Sequence, residues 1–164
     1  MRVTLKLNGV ETSGDVEPRT SLADFIREHQ RLTGTHLGCE HGVCGACTLL
    51  IDGRPMRSCL MLAVSADGRD VQTIEGYEGD EVMAVIRRCF KECHALQCGF
   101  CTPGMLATAY DIVTRLPQAD RQQIRAELSG NLCRCTGYLG IIDAIEQALD
   151  HIHGADGRKR VEVS

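Results

Sequence analysis

The chain has 164 residues, enough for one ordinary domain or two small ones. Its formal net charge of -4 and the lack of a long basic run argue against nucleic-acid binding as its main role. No apolar run is long enough to span a membrane. The N-terminal MRVTLKLNG alternates as a strand does and lacks the apolar core of a signal peptide. This predicts a cytoplasmic, reduced protein without disulfides. Its ten cysteines then need another purpose, and tight spacings in such a chain point to metal binding or redox chemistry.

The first half reads as strands. Val3, Leu5 and Leu7 alternate with polar residues, Asn8-Gly9 is a hairpin turn signal, and 10–16 supplies the returning strand before Pro18. Ser21 and Asp24 form a capping-box pattern. Leu22, Phe25, Ile26 and His29 follow at helical spacing, and Gly34 marks the stop. A glycine-cysteine loop, GCEHGVCGAC, leads into a β-rich run at 48–51, turned by Asp52-Gly53, with Cys59 on the return arm. Residues 71–74 add another strand. GYEGDE, residues 76–81, reads as a linker.

The second half reads as helices. Asp80 caps a helix carrying Val82, Ile86, Cys89 and Cys93 on one face. Thr102-Pro103 opens a helix striped by Leu106, Ala109, Val113 and Leu116 and stopped by Pro117. Asp120 opens a third with Ile124 and Leu128, closed by Gly130. Ile141, Ile142, Ile145, Leu149 and Ile152 stripe the fourth. The fold class is therefore α+β: a small sheet domain at 1–78, a four-helix bundle at 79–155, and a polar tail at 156–164. The tail's basic cluster, Arg158, Lys159 and Arg160, reads as a solvated terminus.

Cys39, Cys44, Cys47 and Cys59 begin with C-x₄-C-x₂-C, the plant-type [2Fe–2S] spacing. Thiolates suit iron–sulfur clusters, and Gly38, Gly42 and Gly45 let backbone N–H groups approach sulfur. A Cys₄ zinc site would more often show two separate short knuckles. Cys98, Cys101, Cys133 and Cys135 read C-x₂-C, a gap holding helices, then C-x-C. On spacing alone, zinc, a second [2Fe–2S] cluster and a redox switch all stay open, with the switch last because no βαβ setting surrounds it. Cys89 and Cys93 read as packing residues. His36, His41, His151 and His153 read as surface histidines.

The stretches LTGTHLGCEHGVCGACTLLIDG, RSCL, QCGFCTPGM and GNLCRCTGYLGI together resemble the small iron–sulfur subunit of the molybdenum hydroxylases, the xanthine oxidase family. The likeness runs from about Val3 to about Ile152. It implies a plant-type ferredoxin-like (β-grasp) domain followed by the helical bundle, and a second [2Fe–2S] cluster on Cys98, Cys101, Cys133 and Cys135. It also implies a large partner subunit with molybdopterin cytosine dinucleotide and a medium partner subunit with FAD, a dimer of such heterotrimers being one arrangement. Electrons would run from molybdenum through the helical-domain cluster and the ferredoxin-like cluster to flavin. Gln97 and Cys135 would lie beside the pterin. The chain has no dinucleotide fingerprint, no P-loop and no nucleophile–base pair, which suits a relay without substrate chemistry. Within the family a nitrogen heteroaromatic substrate is favoured; carbon monoxide or aldehyde enzymes are alternatives. A free-standing ferredoxin-like carrier and a zinc-stabilised interaction module are the competing classes.

Overall fold

The computed structural model describes residues 1–154; the tail and its basic cluster lie outside the described residues. The alternation in β1 (Arg2–Leu7) turns Val3, Leu5 and Leu7 inward. Asn8 and Gly9, both at positive φ, reverse the chain into β2 (Val10–Asp15) with the twist a tight hairpin needs. β3 (Thr48–Ile51) and β4 (Arg54–Arg57) form a second hairpin, and β5 (Asp70–Gln72) lies between the two. The five-stranded order is β2-β1-β5-β3-β4; β5 runs parallel to β1 and antiparallel to β3.

Helix α1 (Leu22–Asp24) starts where expected: Ser21 Oγ accepts from Asp24 N–H at 3.0 Å. It continues as a π-helical turn over Phe25–His29, which turns Phe25 and Ile26 onto the sheet beside Leu5, Leu49, Ile51 and Val71. The helix ends at Gln30, followed by Arg31 at positive φ, and not at Gly34. Gly34 instead anchors the loop that follows, its N–H donating to Glu75 Oε1 at 2.7 Å.

Four further helices form the second unit: α2 (Glu81–Glu92), α3 (Thr102–Arg115), α4 (Arg121–Glu127) and α5 (Leu139–His153). Asp80 and Asp120 cap α2 and α4 by accepting from Met83 and Gln123 N–H. α3 departs from the expected cap. Cys101 is the N-cap residue, Thr102 is already helical, and Thr102 Oγ1 is buried without a partner. The α2 stripe is centred on Met83, Ile86, Cys89 and Phe90, with Val82 only half-buried. β5 is shorter than expected because Ile74–Tyr77 turns into a 3₁₀ helix. The expected linker is accordingly not free: Tyr77 is buried in the helical core and packs against Tyr110, ring centroids 4.8 Å apart.

β3 joins the two units. Its four residues are all buried. Leu49 and Ile51 enter the sheet core while Leu50, on the opposite face, enters the helical core. Among the described residues no helix is long and apolar enough to cross a membrane.

Candidate metal centres

The loop between the π-helical turn and β3 carries the first cysteine quartet. Its backbone folds back on its own sulfurs: Cys44 N–H donates to Cys39 Sγ at 3.3 Å and Ala46 N–H to Cys44 Sγ at 3.5 Å. Cys59 is not on the β4 arm. It sits in the 3₁₀ turn Ser58–Leu60 that follows β4, because Ser58 turns inward and donates through N–H and hydroxyl to the Cys47 carbonyl, at 3.3 and 2.8 Å. That turn delivers Cys59 to Cys47. The electrostatics record the gathering. Backbone N–H groups of Cys44 and His41 draw the Cys39 thiol down to about 6. Burial, and then sharing with Cys47, pushes Cys59 up to about 11.

The second quartet is built from the α3 N-terminus and the turn before α5. Cys98 and Cys135 form its exposed edge, with sulfurs 3.6 Å apart. Cys101 and Cys133 form its inner edge. Burial and the neighbouring Cys133 push Cys101 up to about 12. Cys133 moves the other way: burial opposes ionisation, but the Thr136 hydroxyl, 3.1 Å from Sγ, and backbone N–H groups outweigh it. Tyr138 sits at positive φ, and its hydroxyl accepts from Cys133 N–H at 2.8 Å, which pins the turn.

Each quartet resolves into pairs: Cys39 with Cys44 and Cys47 with Cys59 in the first, Cys98 with Cys135 and Cys101 with Cys133 in the second. Pairs are what a bridged diiron centre asks of its four thiolates, whereas zinc draws four sulfurs around one point. Backbone N–H groups aimed at sulfur suit the negative charge that such a centre leaves on its ligands. The donor set therefore fits [2Fe–2S] clusters. Gln97 is exposed and immediately precedes Cys98, at the outer edge of the second quartet.

The spare cysteines lie elsewhere. Cys89 is fully buried in the helical core, and Cys93, half-buried, donates to Gln147 Oε1 at 3.0 Å. Cys89→Ala should cost about 1 kcal/mol of stability through lost packing. Thermal unfolding checks the cost, and an undiminished iron content checks that the thiol holds no metal.

Several residues that spacing could not single out bind the two quartets together. Leu132 N–H donates to the Cys44 carbonyl at 2.8 Å. Buried Asn131 reaches the Gly45 carbonyl through Nδ2 at 3.1 Å, while its Oδ1 accepts from the Thr108 hydroxyl at 3.0 Å. Arg57 spans the seam from Thr48 Oγ1 to the Gly130 carbonyl. His36, expected at the surface, is half-buried: its Nδ1 bonds the Phe100 carbonyl at 2.7 Å and its ring stacks on Phe100, centroids 4.9 Å apart. Asn131 adjoins the C-x-C motif, the one local hint available; Arg57 and Phe100 carried none.

Comparison with known proteins agrees with this construction. Residues 5–84 match the 2Fe-2S iron-sulfur cluster binding domain, and residues 73–146 match the [2Fe-2S] binding domain. The chain is 51% identical over 147 residues to the caffeine dehydrogenase subunit gamma of Pseudomonas sp. (strain CBB1), covering 88% of each chain. It is 45% identical over 157 residues to the nicotine 6-hydroxylase small subunit of Paenarthrobacter nicotinovorans, covering 96% of this chain and 94% of that one. A chain of quinoline 2-oxidoreductase from Pseudomonas putida 86 superposes with a TM-score of 0.86 at 53% identity, covering 92% of this chain and 94% of that one. With two thiol quartets on a ferredoxin-like sheet unit and a helical unit, and with relatives of this identity over nearly its whole length, the chain belongs to the small [2Fe–2S] iron–sulfur subunits of the molybdenum hydroxylases, the xanthine oxidase family.

Proposed function

We propose that this chain relays electrons between a large molybdenum-binding subunit carrying molybdopterin cytosine dinucleotide and a medium FAD-binding subunit. Cys39, Cys44, Cys47 and Cys59 would hold the first [2Fe–2S] cluster, and Cys98, Cys101, Cys133 and Cys135 the second. When bound, each cluster supplies a one-electron carrier. The observation that carries this reading is the polarity of the second quartet: its outer pair is exposed, and its inner pair is followed directly by the seam to Cys44. Gln97 and Cys135, on the outer edge, face the pterin; the Gln97 amide offers it both a donor and an acceptor. The sheet unit, with its exposed Val43 and Leu60 beside the first quartet, faces the flavin subunit. The boundary between the units is put at 78/79, just before α2, with Leu50 and Tyr77 of the first unit reaching across into the helical core.

The substrate of the complex is proposed to be a nitrogen heteroaromatic. Caffeine, nicotine and quinoline, named by the relatives above, all carry ring nitrogen. The chain itself touches none of this chemistry. Its residues hold the carriers, bond their sulfurs and keep the two centres at a fixed separation, in a reducing cytoplasmic setting where thiols stay free. Iron and sulfide analysis of the purified complex should find about four iron atoms and about four labile sulfides per copy of this chain. Stoichiometric zinc with little iron would overturn the reading in favour of a structural metal module.

A further inference from the structure

We propose that Arg57 biases the relay: its guanidinium raises the reduction potential of the first cluster more than that of the second, and so draws electrons toward the sheet unit. The proposal rests on the reading of both quartets as [2Fe–2S] sites. Arg57 is the last residue of β4, opposite Thr48 of β3. Its Nη1 donates to Thr48 Oγ1 at 2.5 Å, and its Nη2 donates to the Gly130 carbonyl of the helical unit. Its Nε is buried without a partner. Both acceptors are neutral, and among the described residues no carboxylate forms an ion pair with Arg57. Room is kept for the cation, since a Cβ built at Gly130 would collide with Nη2.

A half-buried cation without a counter-ion is costly unless negative charge stands nearby. Two ferric ions, two sulfides and four thiolates sum to a net anion, and reduction adds one more negative charge. A cation beside such a centre favours its reduced state, and more so where water does not screen it. The placement of Arg57 is lopsided. Thr48, its hydroxyl partner, directly follows Cys47 and donates to the Gly45 carbonyl at 2.6 Å. Ser58, next in the chain, holds the Cys47 carbonyl and precedes Cys59. On the helical side, Gly130 is three residues short of Cys133. The first quartet therefore feels the charge more strongly. Other charges near the ligands, Glu40 in the first loop and Arg134 between Cys133 and Cys135, are exposed, where water and salt weaken their reach. The step that Arg57 biases moves one electron from the second cluster to the first. No bond forms or breaks, and the guanidinium keeps its proton throughout.

Two variants separate charge from hydrogen bonding. Arg57→Gln keeps an amide donor for the seam and drops the charge, whereas Arg57→Lys keeps the charge and loses the two-armed fork. Redox titration of the holo complex, followed by EPR, reads the midpoint potential of each cluster separately. Arg57→Gln should lower the first cluster's midpoint by about 59 mV, a tenfold change in its reduced-to-oxidised ratio, and the second cluster's by less. Arg57→Lys should leave the first midpoint close to that of the unaltered complex. A tie that acts only through its hydrogen bonds would suffer in both variants, so equal shifts in the two overturn the proposal. An unmoved first midpoint in an iron-loaded Arg57→Gln complex overturns it too, as does a larger shift at the second cluster. Should Arg57→Gln not load with iron, citrulline at 57, neutral and close to arginine in shape, removes the charge with the same outcomes. Iron missing from the unaltered complex would instead remove the reading beneath the proposal.

Discussion

Gly45→Ala should lower the melting temperature of the iron-loaded chain by roughly 10 °C, or about 3 kcal/mol for a protein of this size. Two costs combine. Gly45 sits at φ +73, where a side chain costs about 1–2 kcal/mol. A Cβ there would also run into the Gly130 carbonyl oxygen and come within 2.9 Å of Asn131 Cα. These are backbone atoms of the facing unit and cannot swing aside, so forcing them apart adds about 1–3 kcal/mol. The seam would open where Asn131 holds the Gly45 carbonyl and Leu132 holds the Cys44 carbonyl. Gly53→Ala separates the two costs. Gly53 has nearly the same φ, +74, but nothing within 4 Å of the built Cβ. It should lose only the backbone part. Equal melting temperatures for the two variants would mean that the units do not press on each other at Gly45.

That seam also marks the limit of what local sequence could reveal. The hairpin turn at Asn8-Gly9, the Ser21 cap and the caps at Asp80 and Asp120 are local chemistry, and each lies where sequence places it. The β3 strand is legible too, but not that Leu50 serves the other core, because an all-apolar run does not say which face meets which partner. The first helix stops short of Gly34 because the π-helical turn lets Gln30 N–H close on the Phe25 carbonyl, and the chain leaves the helix there. The α3 cap falls one residue early, at Cys101 of the second quartet, so that Thr102 is already helical. The quartets can be grouped from spacing, but their inner and outer edges cannot. Burial decides those, and burial depends on how the two units meet.

Cys44→Ala should abolish electron delivery to flavin, slowing acceptor-linked turnover by at least about a thousandfold, while leaving the second quartet loaded. One ligand of the first quartet is lost, and the chain's iron content should fall to about half that of the unaltered chain. The fold around it should persist. The substitution removes a half-exposed thiol, but the Cys44 carbonyl that accepts from Leu132 belongs to the backbone and stays. The remaining Asn131 and Arg57 bonds across the seam involve other residues. Partner assembly is therefore expected to survive, and gel filtration with subunit analysis checks it. Rapid mixing of the complex with its substrate should then reduce the second cluster at the ordinary rate and leave flavin oxidised. Cys101→Ala should behave differently: with the second cluster gone, substrate should reduce neither the first cluster nor flavin. The contrast between the two variants tests the direction of the relay, from the exposed Cys98 and Cys135 edge inward to Cys133, across the seam, and out through the sheet unit. Normal flavin reduction in a Cys44→Ala complex lacking the first cluster would mean that flavin draws its electrons from the helical unit, and the proposed relay order would be wrong.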